Sequence, residues 1–304
     1  MSAKIPRIAL EQWCVLQAVV DHGGFAQAAE ALNKSQSSIS YALRKLQEQL
    51  PVPVLTLNGR KAELTTAGEV LLRRSRTLVD EALALERLAA GLAQGWEPKI
   101  RLAVEIVFPP DLLLGALESF ANGCREKSLE TRILLIESVL SGTDEALFSG
   151  EVDLVISGRV PPGFLGSPLL QVEFLAVAHP EHPLHRLGRE LSARDLRQHR
   201  QLVVRDSGLL RSQDASWLGA EERWTVSHLK TSIQALKRGL GFAWVPREHI
   251  QTELEAGVLK PLPLQEGASQ HKELYLIFAD RDNAGPATRK LAEILMEVCK
   301  DPQR

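Results

Sequence analysis

The sequence predicts an α/β protein that begins with a small all-helical domain. The chain has 304 residues, which at about 100–200 residues per domain allows two or three domains. Apolar residues recur at helical spacing up to residue 50, and alternating strand and helix patterns begin near residue 98. With 44% hydrophobic and 24% charged residues, the composition excludes a disordered chain and a disulfide-held miniprotein.

Three helices are predicted in the first 50 residues, each with apolar residues on one face. The first covers residues 9–22 and the second Phe25–Leu32. After a tight turn at Asn33-Lys34, the third begins at the N-cap residue Ser35 and runs to about Leu50. Its predicted core face holds Ile39, Ala42, Leu43, Leu46 and Leu50. Its other face is polar, which leaves it available for a partner.

A small basic hairpin follows. Val54–Leu57, an Asn58-Gly59 turn and Ala62–Thr65 have the spacing of two short strands. From Lys34 to Lys61 there are five basic residues and one acid, a local charge of +4 in a chain whose net charge is −2. Helix, turn, helix and basic hairpin together predict a winged helix-turn-helix, and the local charge suits binding to phosphates. Charge alone would fit a solvated surface equally well.

A long helix is predicted from Thr66 to about Gln94. Thr66 and Glu69 have the spacing of a capping box. An apolar stripe runs along the helix, made of Leu71, Leu78, Leu85, Leu88 and Leu92 and widened by Val70, Leu72 and Leu83. So small a domain cannot bury a stripe of this length, so we expect a partner helix from a second chain.

Residues 95–98 break the helical pattern and mark the main predicted domain boundary. Beyond them, predicted strands and helices alternate, as in a parallel or mixed sheet. The strands are Lys99–Val107, Thr131–Glu137, Val152–Ser157, Leu169–Ala178, Gln201–Val204, Arg223–Val226, Gly241–Val245 and Glu273–Ala279. The helices are Asp111–Lys127, Gly142–Ser149, Ala193–Gln198, Leu229–Gly239, Arg247–Glu255 and Pro286–Cys299. About 205 residues fit two α/β lobes that the chain crosses twice.

Several segments of the chain strongly resemble LysR-type transcriptional regulators. The DNA-binding part of that resemblance is carried by Phe25–Asn33, Ser35–Leu46, Pro53-Val54-Leu55, Gly59-Arg60 and Leu64–Glu69. A looser match is carried by Gly150–Leu154, His182-Pro183-Leu184 and Gly239–Pro246. Pro51, Leu55 and Gln47 depart from residues common in the family, away from the predicted DNA face. Residues 105–110 also lack the Ser or Thr that often opens the first effector-domain helix.

The resemblance implies a domain organisation. Residues 1–65 would form the winged helix-turn-helix DNA-binding domain and residues 66–95 a linker and dimerisation helix. Residues 96–304 would form an effector-binding domain of two Rossmann-like lobes, similar to type 2 periplasmic binding proteins. Lobe I would cover about 98–168 with 269–304, and lobe II about 169–268.

The predicted DNA contacts lie on the third helix and the hairpin. The N-terminal part of such a helix enters the major groove, where Gln can pair with adenine and Arg with guanine. The predicted residues are Gln36, Ser37, Ser40, Tyr41, Arg44, Lys45, Arg60 and Lys61. Structural alternatives exist, since Ser37 could complete the first turn, Lys45 could be solvated and Tyr41 could pack on the hairpin. The expected partners are double-stranded DNA with an inverted repeat and a second or further copy of the chain, as a homodimer or homotetramer.

The predicted effector site lies where strands end, because ligands of such α/β domains bind there. Arg205 could clamp a carboxylate, while Phe108 and Trp244 could supply an apolar wall. Ser157, Ser207 and His228 could hydrogen-bond the ligand. The structural alternatives to ligand binding are that Trp244 packs in the core, that Arg205 pairs with Asp206 and that Ser227 is an N-cap. The sequence does not identify the effector.

Three other functions fit the sequence less well. An enzyme is disfavoured because GxSxG, HExxH, GxGxxG and P-loop spacings are absent, and Ser227–Lys230 matches S-x-x-K without an accompanying K-T-G. His179, His182 and His185 are spaced by three, but prolines between them prevent a shared helix, so no metal or cofactor is expected. A solute-binding protein is disfavoured by the lack of a signal peptide, and with no apolar stretch of about 18 residues we expect a cytoplasmic chain. A redox sensor would need an exposed Cys124.

Overall fold

The computed structural model describes residues 5–58, 61–127, 129–209 and 217–300. The chain divides into two compact units, residues 1–90 and 91–304. The α-helices are α1 Leu10–Asp21, α2 Phe25–Ala31, α3 Gln36–Gln49, α4 Thr66–Ala93, α5 Pro110–Glu126, α6 Ser141–Phe148, α7 Ala193–Arg197, α8 Leu229–Lys237, α9 Gln251–Glu255 and α10 Pro286–Lys300. The strands are β1 Leu55–Asn58, β2 Lys61–Leu64, β3 Lys99–Glu105, β4 Arg132–Ser138, β5 Leu154–Ser157, β6 Gly166–Ala178, β7 Gln201–Val204, β8 Arg223–Val226, β9 Phe242–Pro246, β10 Lys260–Pro261 and β11 Ser269–Phe278.

The first unit is built on three helices packed around one apolar core. Ile39, Leu43 and Leu46 of α3 are buried, and they pack in one cluster with Leu16 of α1 and Ala28 of α2. Asn33, in the turn before α3, has a positive φ of 49°, a conformation that asparagine tolerates. The Ser35 hydroxyl then accepts a hydrogen bond from the Ser38 backbone N–H at 3.2 Å. The predicted N-cap of α3 is therefore confirmed.

The hairpin and the start of α4 pack closely. Strands β1 and β2 pair antiparallel, with Leu55 opposite Leu64. The N-cap of α4 is Thr65, because its hydroxyl accepts from the Gly68 N–H at 2.9 Å; the prediction of Thr66 as N-cap was wrong by one residue. A Cβ at Gly68 would lie 2.1 Å from the Val54 carbonyl oxygen, so only glycine allows this approach. Gly59 and Arg60, at the predicted turn, lie outside the described residues.

The second unit contains one mixed sheet with the strand order β4-β3-β5-β11-β6-β9-β7-β8, and β10 pairs with β6. Strand β3 is parallel to β4 and β5, and β7 is parallel to β8 and β9. Strands β6 and β11 are long and antiparallel, and they join the two parallel groups. Each group is one lobe, so the chain passes between lobes along β6 and returns along β11.

Each lobe has its own apolar core. The core of lobe I includes Phe120 of α5 and Leu291 of α10, packed against Leu102 of β3. Lobe II has two smaller clusters, one around Leu236 of α8 and one around Phe242 of β9. The structure confirms the predicted fold class, a helical N-terminal domain with a hairpin followed by a two-lobed α/β domain.

The structure differs from the predicted elements in small ways. The predicted helix over Arg247–Glu255 is a 3-10 turn at Arg247–His249 followed by α9, because Ile250 leaves the helical conformation with φ −129° and ψ 14°. The 3-10 turn at Pro183–Leu187 and the two-residue strand β10 were not predicted. The N-cap of α8 is His228 rather than Ser227. In the described part of the chain, no helix is long and apolar enough to cross a membrane.

Candidate nucleic-acid interface and ligand cavity

One face of α3 is exposed along its length. The six predicted DNA-contacting residues of this helix, Gln36, Ser37, Ser40, Tyr41, Arg44 and Lys45, are all exposed. The opposite face, with Ile39, Leu43 and Leu46, is buried. The helical period therefore separates a polar surface from the core, and the major groove of DNA admits an α-helix.

The side chains on this face have few partners within the chain. Tyr41 is 57% exposed. The guanidinium carbon of Arg44 lies 5.8 Å from the centre of the Tyr41 ring, a distance that allows a cation–π contact. The Ser37 hydroxyl is 2.9 Å from the Ser35 hydroxyl. Ser37 thus supports the helix start and remains exposed.

Two further basic residues flank the exposed face of α3. Lys34, in the turn before α3, forms an ion pair with Glu11 of α1, and this pair lowers the pKa of the Glu11 carboxyl. Lys34 was counted in the basic segment but not selected as a contact, although its place one residue before the N-cap was a usable signal. Lys61 begins β2, and its side chain lies outside the described part of the structure.

Helix α4 carries an exposed apolar stripe beyond its first turns. Leu72 and Val79 are buried, whereas Leu78, Leu85 and Leu92 are 48%, 67% and 46% exposed. The three exposed leucines are spaced by seven residues, which places them on one side of the helix. A stripe of this kind is typical of a helix that packs against another helix.

A cavity of about 210 Å³ lies between the two lobes of the second unit. Residues after β3, after β4, in β7 and in the two long strands β6 and β11 all contribute to its wall. The lining consists of Glu105, Ile106, Val107, Val139, Leu140, Phe174, Gln201, Leu202, Val203, Val204, Leu229, Trp244, Pro246, Gln270, His271 and Lys272. Both lobes therefore contact anything bound in this cavity.

Of the six residues predicted to bind an effector, Trp244 lines the cavity. The other five, all within the described residues, lie elsewhere. Phe108 is 3% exposed and belongs to the core of lobe I, and Ser157 is 1% exposed at the end of β5. Arg205 and His228 are exposed. Ser207 bonds to the backbone of Val139, next to the cavity.

Sequence reasoning did not select the polar groups of the cavity. Glu105 is 3% exposed, and one of its oxygens accepts from the Gly158 N–H at 2.6 Å. Its other oxygen is 3.9 Å from the Lys272 ammonium. Burial raises the pKa of Glu105, and the nearby Lys272 charge opposes that rise. Gln201, at the start of β7, adds an amide that is 2% exposed.

A loop of lobe II contacts lobe I beside the cavity. The Asp206 carboxylate accepts from the Ser141 N–H at 3.0 Å and from the Ser141 hydroxyl at 2.5 Å. The Ser207 hydroxyl accepts from the Val139 N–H at 2.8 Å. These bonds bracket Leu140, whose φ of 50° and ψ of −112° are uncommon for a residue with a side chain. The loop therefore holds a strained turn at the entrance to α6.

The described residues bear on the redox and metal-binding alternatives. A redox sensor would need an exposed Cys124, but Cys124 is buried in the core of lobe I, and burial raises the pKa of its thiol. A buried, protonated thiol is a poor redox sensor. Among the described residues, no group of three or more His, Cys, Asp or Glu side chains is placed to hold a metal ion.

Two family models match this chain. The model described as "Bacterial regulatory helix-turn-helix protein, lysR family" matches residues 10–69. The model described as "LysR substrate binding domain" matches residues 93–300. The first match includes α1 to α3 and the hairpin, and the second includes both lobes and the cavity.

Similar proteins span nearly the same length. The HTH-type transcriptional regulator YhaJ of Escherichia coli O157:H7 is 30% identical over 94% of this chain and 95% of its own. The protein named "Uncharacterized HTH-type transcriptional regulator YeeY" of E. coli K12 is 31% identical over 82% of this chain and 81% of its own. The solved structure of CrgA, a LysR-type transcriptional regulator from Neisseria meningitidis, covers 97% of this chain and 99% of its own with a TM-score of 0.52 at 22% identity. The last similarity supports the fold.

Proposed function

Because this chain belongs to the family of LysR-type transcriptional regulators, we propose that it reads its operator through the exposed face of α3 and its effector through the cavity between the lobes. It is a DNA-binding regulator with an effector-binding domain. The observation that carries the proposal for α3 is the separation of its two faces. Gln36, Ser40 and Arg44 are exposed on one face, and Ile39 and Leu43 are buried on the other.

The proposed DNA contacts follow from side-chain chemistry. Arg44 and Gln36 have the donors and acceptors to read base edges. Ser37, Ser40 and Tyr41 are placed to bond to bases or phosphates, and Lys45 to phosphates. On the hairpin, Arg60 and Lys61 would meet the DNA backbone or the minor groove. Lys34 joins this set, since DNA phosphates would compete with Glu11 for its charge.

The proposed assembly is a homodimer or a homotetramer. The exposed leucines of α4 would pair with those of a second copy, as residues 66–95 would form the dimerisation helix. A dimer presents two copies of α3, so the operator should be an inverted repeat with half-sites about one helical turn apart. In the proposed domain organisation, residues 1–65 bind DNA and residues 96–304 bind the effector.

The effector would act by shifting the balance between conformations. A molecule bound in the cavity touches both lobes, so it favours whichever lobe arrangement it fits better. Coupling of that arrangement to the spacing of the two DNA-binding domains would change operator affinity. Of the residues proposed from the sequence, Trp244 has the position to contact the effector directly. Ser207 would act through the turn that bounds the cavity, and Phe108, Ser157, Arg205 and His228 remain proposals.

A chain that regulates transcription works where the chromosome is, so we propose a cytoplasmic location. The relatives named above are regulators and not enzymes, and we propose that this chain likewise regulates without turning over a substrate.

Fluorescence anisotropy with the DNA upstream of this protein's own gene tests the function. A scrambled duplex of the same length and composition is measured beside it, at two salt concentrations. We expect a preference of about 10³-fold or more for the upstream DNA, as specific regulators show. Weak binding that ignores sequence and disappears with salt would contradict operator binding at that site.

A further inference from the structure

The cavity between the lobes has a mostly apolar wall. Eleven of its sixteen lining residues are apolar, including Phe174, Leu202, Leu229 and Trp244. Such a wall gains free energy by burying the apolar surface of a ligand. Specificity then depends on the few polar groups among the lining residues.

The first polar group is the pair Glu105 and Lys272. The Glu105 oxygen nearest to Lys272 is 3.9 Å from the ammonium nitrogen, which is too far for a hydrogen bond. The other Glu105 oxygen is already held by the Gly158 N–H. A hydroxyl group can donate to this free carboxylate oxygen and accept from the ammonium, whereas a carboxylate only accepts and an ammonium only donates.

The second polar group is the Gln201 amide. Its Nε2 donates to the Trp217 carbonyl at 2.7 Å, and this bond fixes which side of the amide carries the oxygen. The oxygen Oε1 is buried and has no hydrogen-bond partner among the described residues. A buried acceptor of this kind favours a ligand with a donor.

Anionic ligands meet unfavourable surroundings here. The N–H groups at the start of a helix attract anions, but Asp206 already occupies the start of α6 with its own carboxylate. Helix α5 begins at Pro110, which has no N–H to donate. Arg205, which was expected to clamp a carboxylate, does not line the cavity. A carboxylate would have Lys272 and the start of α8 at Leu229 as favourable partners, but it would also face the Glu105 carboxylate and the unpaired Gln201 oxygen.

We infer that the cavity binds an apolar molecule carrying an uncharged hydroxyl group, with the hydroxyl placed between Glu105 and Lys272. The inference rests on the proposed function, because it names the chemical class of the effector for the same site. An anion lacks a donor for Glu105, and a cation is repelled by Lys272. A neutral hydroxyl satisfies both partners, and its apolar body fills the rest of the cavity.

Calorimetric titration of the full chain with four probes tests the ligand class. The probes are 2-naphthol, 2-naphthoate, 2-naphthylmethylammonium and L-phenylalanine at pH 7, which present a hydroxyl, an anion, a cation and a zwitterion. We expect 2-naphthol to bind at least about tenfold more tightly than each of the others, because the anion lacks a donor, the cation lacks an acceptor, and the zwitterion must bring two charges into a mostly apolar cavity. Tighter binding of any charged probe, or no binding of 2-naphthol, overturns the inference.

Substitutions locate the hydroxyl. Lys272→Met keeps the length of the side chain and removes its ammonium, and Glu105→Gln keeps the shape and removes the charge. We expect each to weaken 2-naphthol binding about tenfold. Lys290→Met is the matched control, since Lys290 is on α10 and does not line the cavity; it should leave binding unchanged. Because the Glu105 side chain is buried, its variant is interpreted only if its circular dichroism spectrum is native.

The two proposals can fail separately. If Lys272→Met binds 2-naphthol as well as the unaltered chain does, the assigned position of the hydroxyl is wrong, whatever the DNA result. If 2-naphthol binds as expected but the upstream DNA is not preferred, the ligand class stands and the proposed operator fails.

Discussion

The Ser207 hydroxyl and the Val139 backbone bond to each other twice. The hydroxyl accepts from the Val139 N–H at 2.8 Å and lies 3.1 Å from the Val139 carbonyl oxygen, to which it donates. Ser207 is on a loop of lobe II and Val139 follows β4 of lobe I. This side chain therefore ties the two lobes together at the turn that carries the strained Leu140, beside the Asp206 carboxylate that bonds to Ser141.

Removal of this hydroxyl should destabilise the second unit. Ser207→Ala removes the side-chain partner of the Val139 N–H, so we expect the free energy of unfolding to fall by about 1–3 kcal/mol. Chemical denaturation monitored by circular dichroism measures the change. Ser149→Ala is the control, because the Ser149 hydroxyl bonds to the Ala146 carbonyl within its own lobe at an exposed site. Equal effects of the two substitutions would contradict a special role for the Ser207 contact.

Removal of the Arg44 side chain should reduce discrimination between operator and random DNA. Arg44 is exposed on α3 with no ion-pair partner among the described residues, so its guanidinium is available for a base. Arg44→Ala should weaken the free energy of binding to the operator by about 1–3 kcal/mol. The free energy of binding to a random duplex should change much less. Anisotropy titrations with both duplexes measure the difference.

Two comparisons make the Arg44 result specific. Lys61→Ala should weaken binding to both duplexes alike and reduce the salt slope by about one or less, as expected of a phosphate contact. Arg238→Ala removes an exposed arginine of the second unit and should leave the affinity for both duplexes unchanged. If Arg44→Ala weakens both duplexes equally, Arg44 contacts the backbone and not a base.

The N-cap of α3 should contribute to the stability of the first unit. Ser35 accepts from the Ser38 N–H and its hydroxyl is also close to the hydroxyls of Ser37 and Ser38. Ser35→Ala should lower the free energy of unfolding of this unit by about 1 kcal/mol, measured by thermal denaturation. Ser40→Ala removes an exposed hydroxyl within the same helix and should change stability by less than about 0.5 kcal/mol. The cap hypothesis fails if Ser40→Ala costs as much as Ser35→Ala.

Local patterns explain why much of the fold was predictable. The burial of Ile39 and Leu43 follows from their spacing along one helix. The N-cap at Ser35 depends only on its own side chain and the first turn of α3. The cavity depends on pairing between distant segments. Lys272 of β11 reaches Glu105 of β3 because β5 pairs with both strands, and no spacing in the sequence reveals these pairings.

Phe108 shows the limit of the strand-end rule. It follows β3 by three residues and was expected to line the cavity. The Phe108 N–H instead donates to the Glu105 carbonyl in a tight turn at 2.9 Å, and its side chain enters the core of lobe I. The cavity lies at this end of β3, but the turn directs the Phe108 side chain into the core of lobe I.

Acid should destabilise lobe II through His182. This side chain is buried, its Nδ1 accepts from the Leu184 N–H at 3.3 Å, and its ring centre is 5.2 Å from that of His199. Desolvation first, and then the charges of His199, His185 and His179, lower the pKa of His182 to about 4. Between about pH 6.5 and 4, His182 binds a proton in the unfolded chain but not in the folded chain. The free energy of unfolding therefore falls as the pH is lowered through this window.

His182→Asn should reduce that loss, because asparagine keeps an acceptor at the cap position and does not titrate. On going from pH 6.5 to 4, the free energy of unfolding of the variant should fall by up to about 3 kcal/mol less than that of the unaltered chain. Denaturation at each pH measures this difference. Some acid sensitivity should remain, since burial also lowers the pKa of His185, His199 and His249. His228→Asn, at an exposed N-cap, is the control. If it reduces the loss of stability in acid as much as His182→Asn does, His182 is not the responsible group.

The leucine stripe of α4 should hold two copies of the chain together. Leu85 is 67% exposed, with Leu78 and Leu92 one heptad to either side, so a charge at this position would be buried in a helix pair and strongly opposed. Leu85→Glu should convert the assembly to a smaller species in sedimentation velocity, and the loss of paired α3 helices should reduce affinity for an inverted repeat. Arg87→Glu introduces the same side chain on the opposite side of α4 and should leave the sedimentation coefficient unchanged. If Leu85→Glu sediments like the unaltered chain, the subunits associate through another surface.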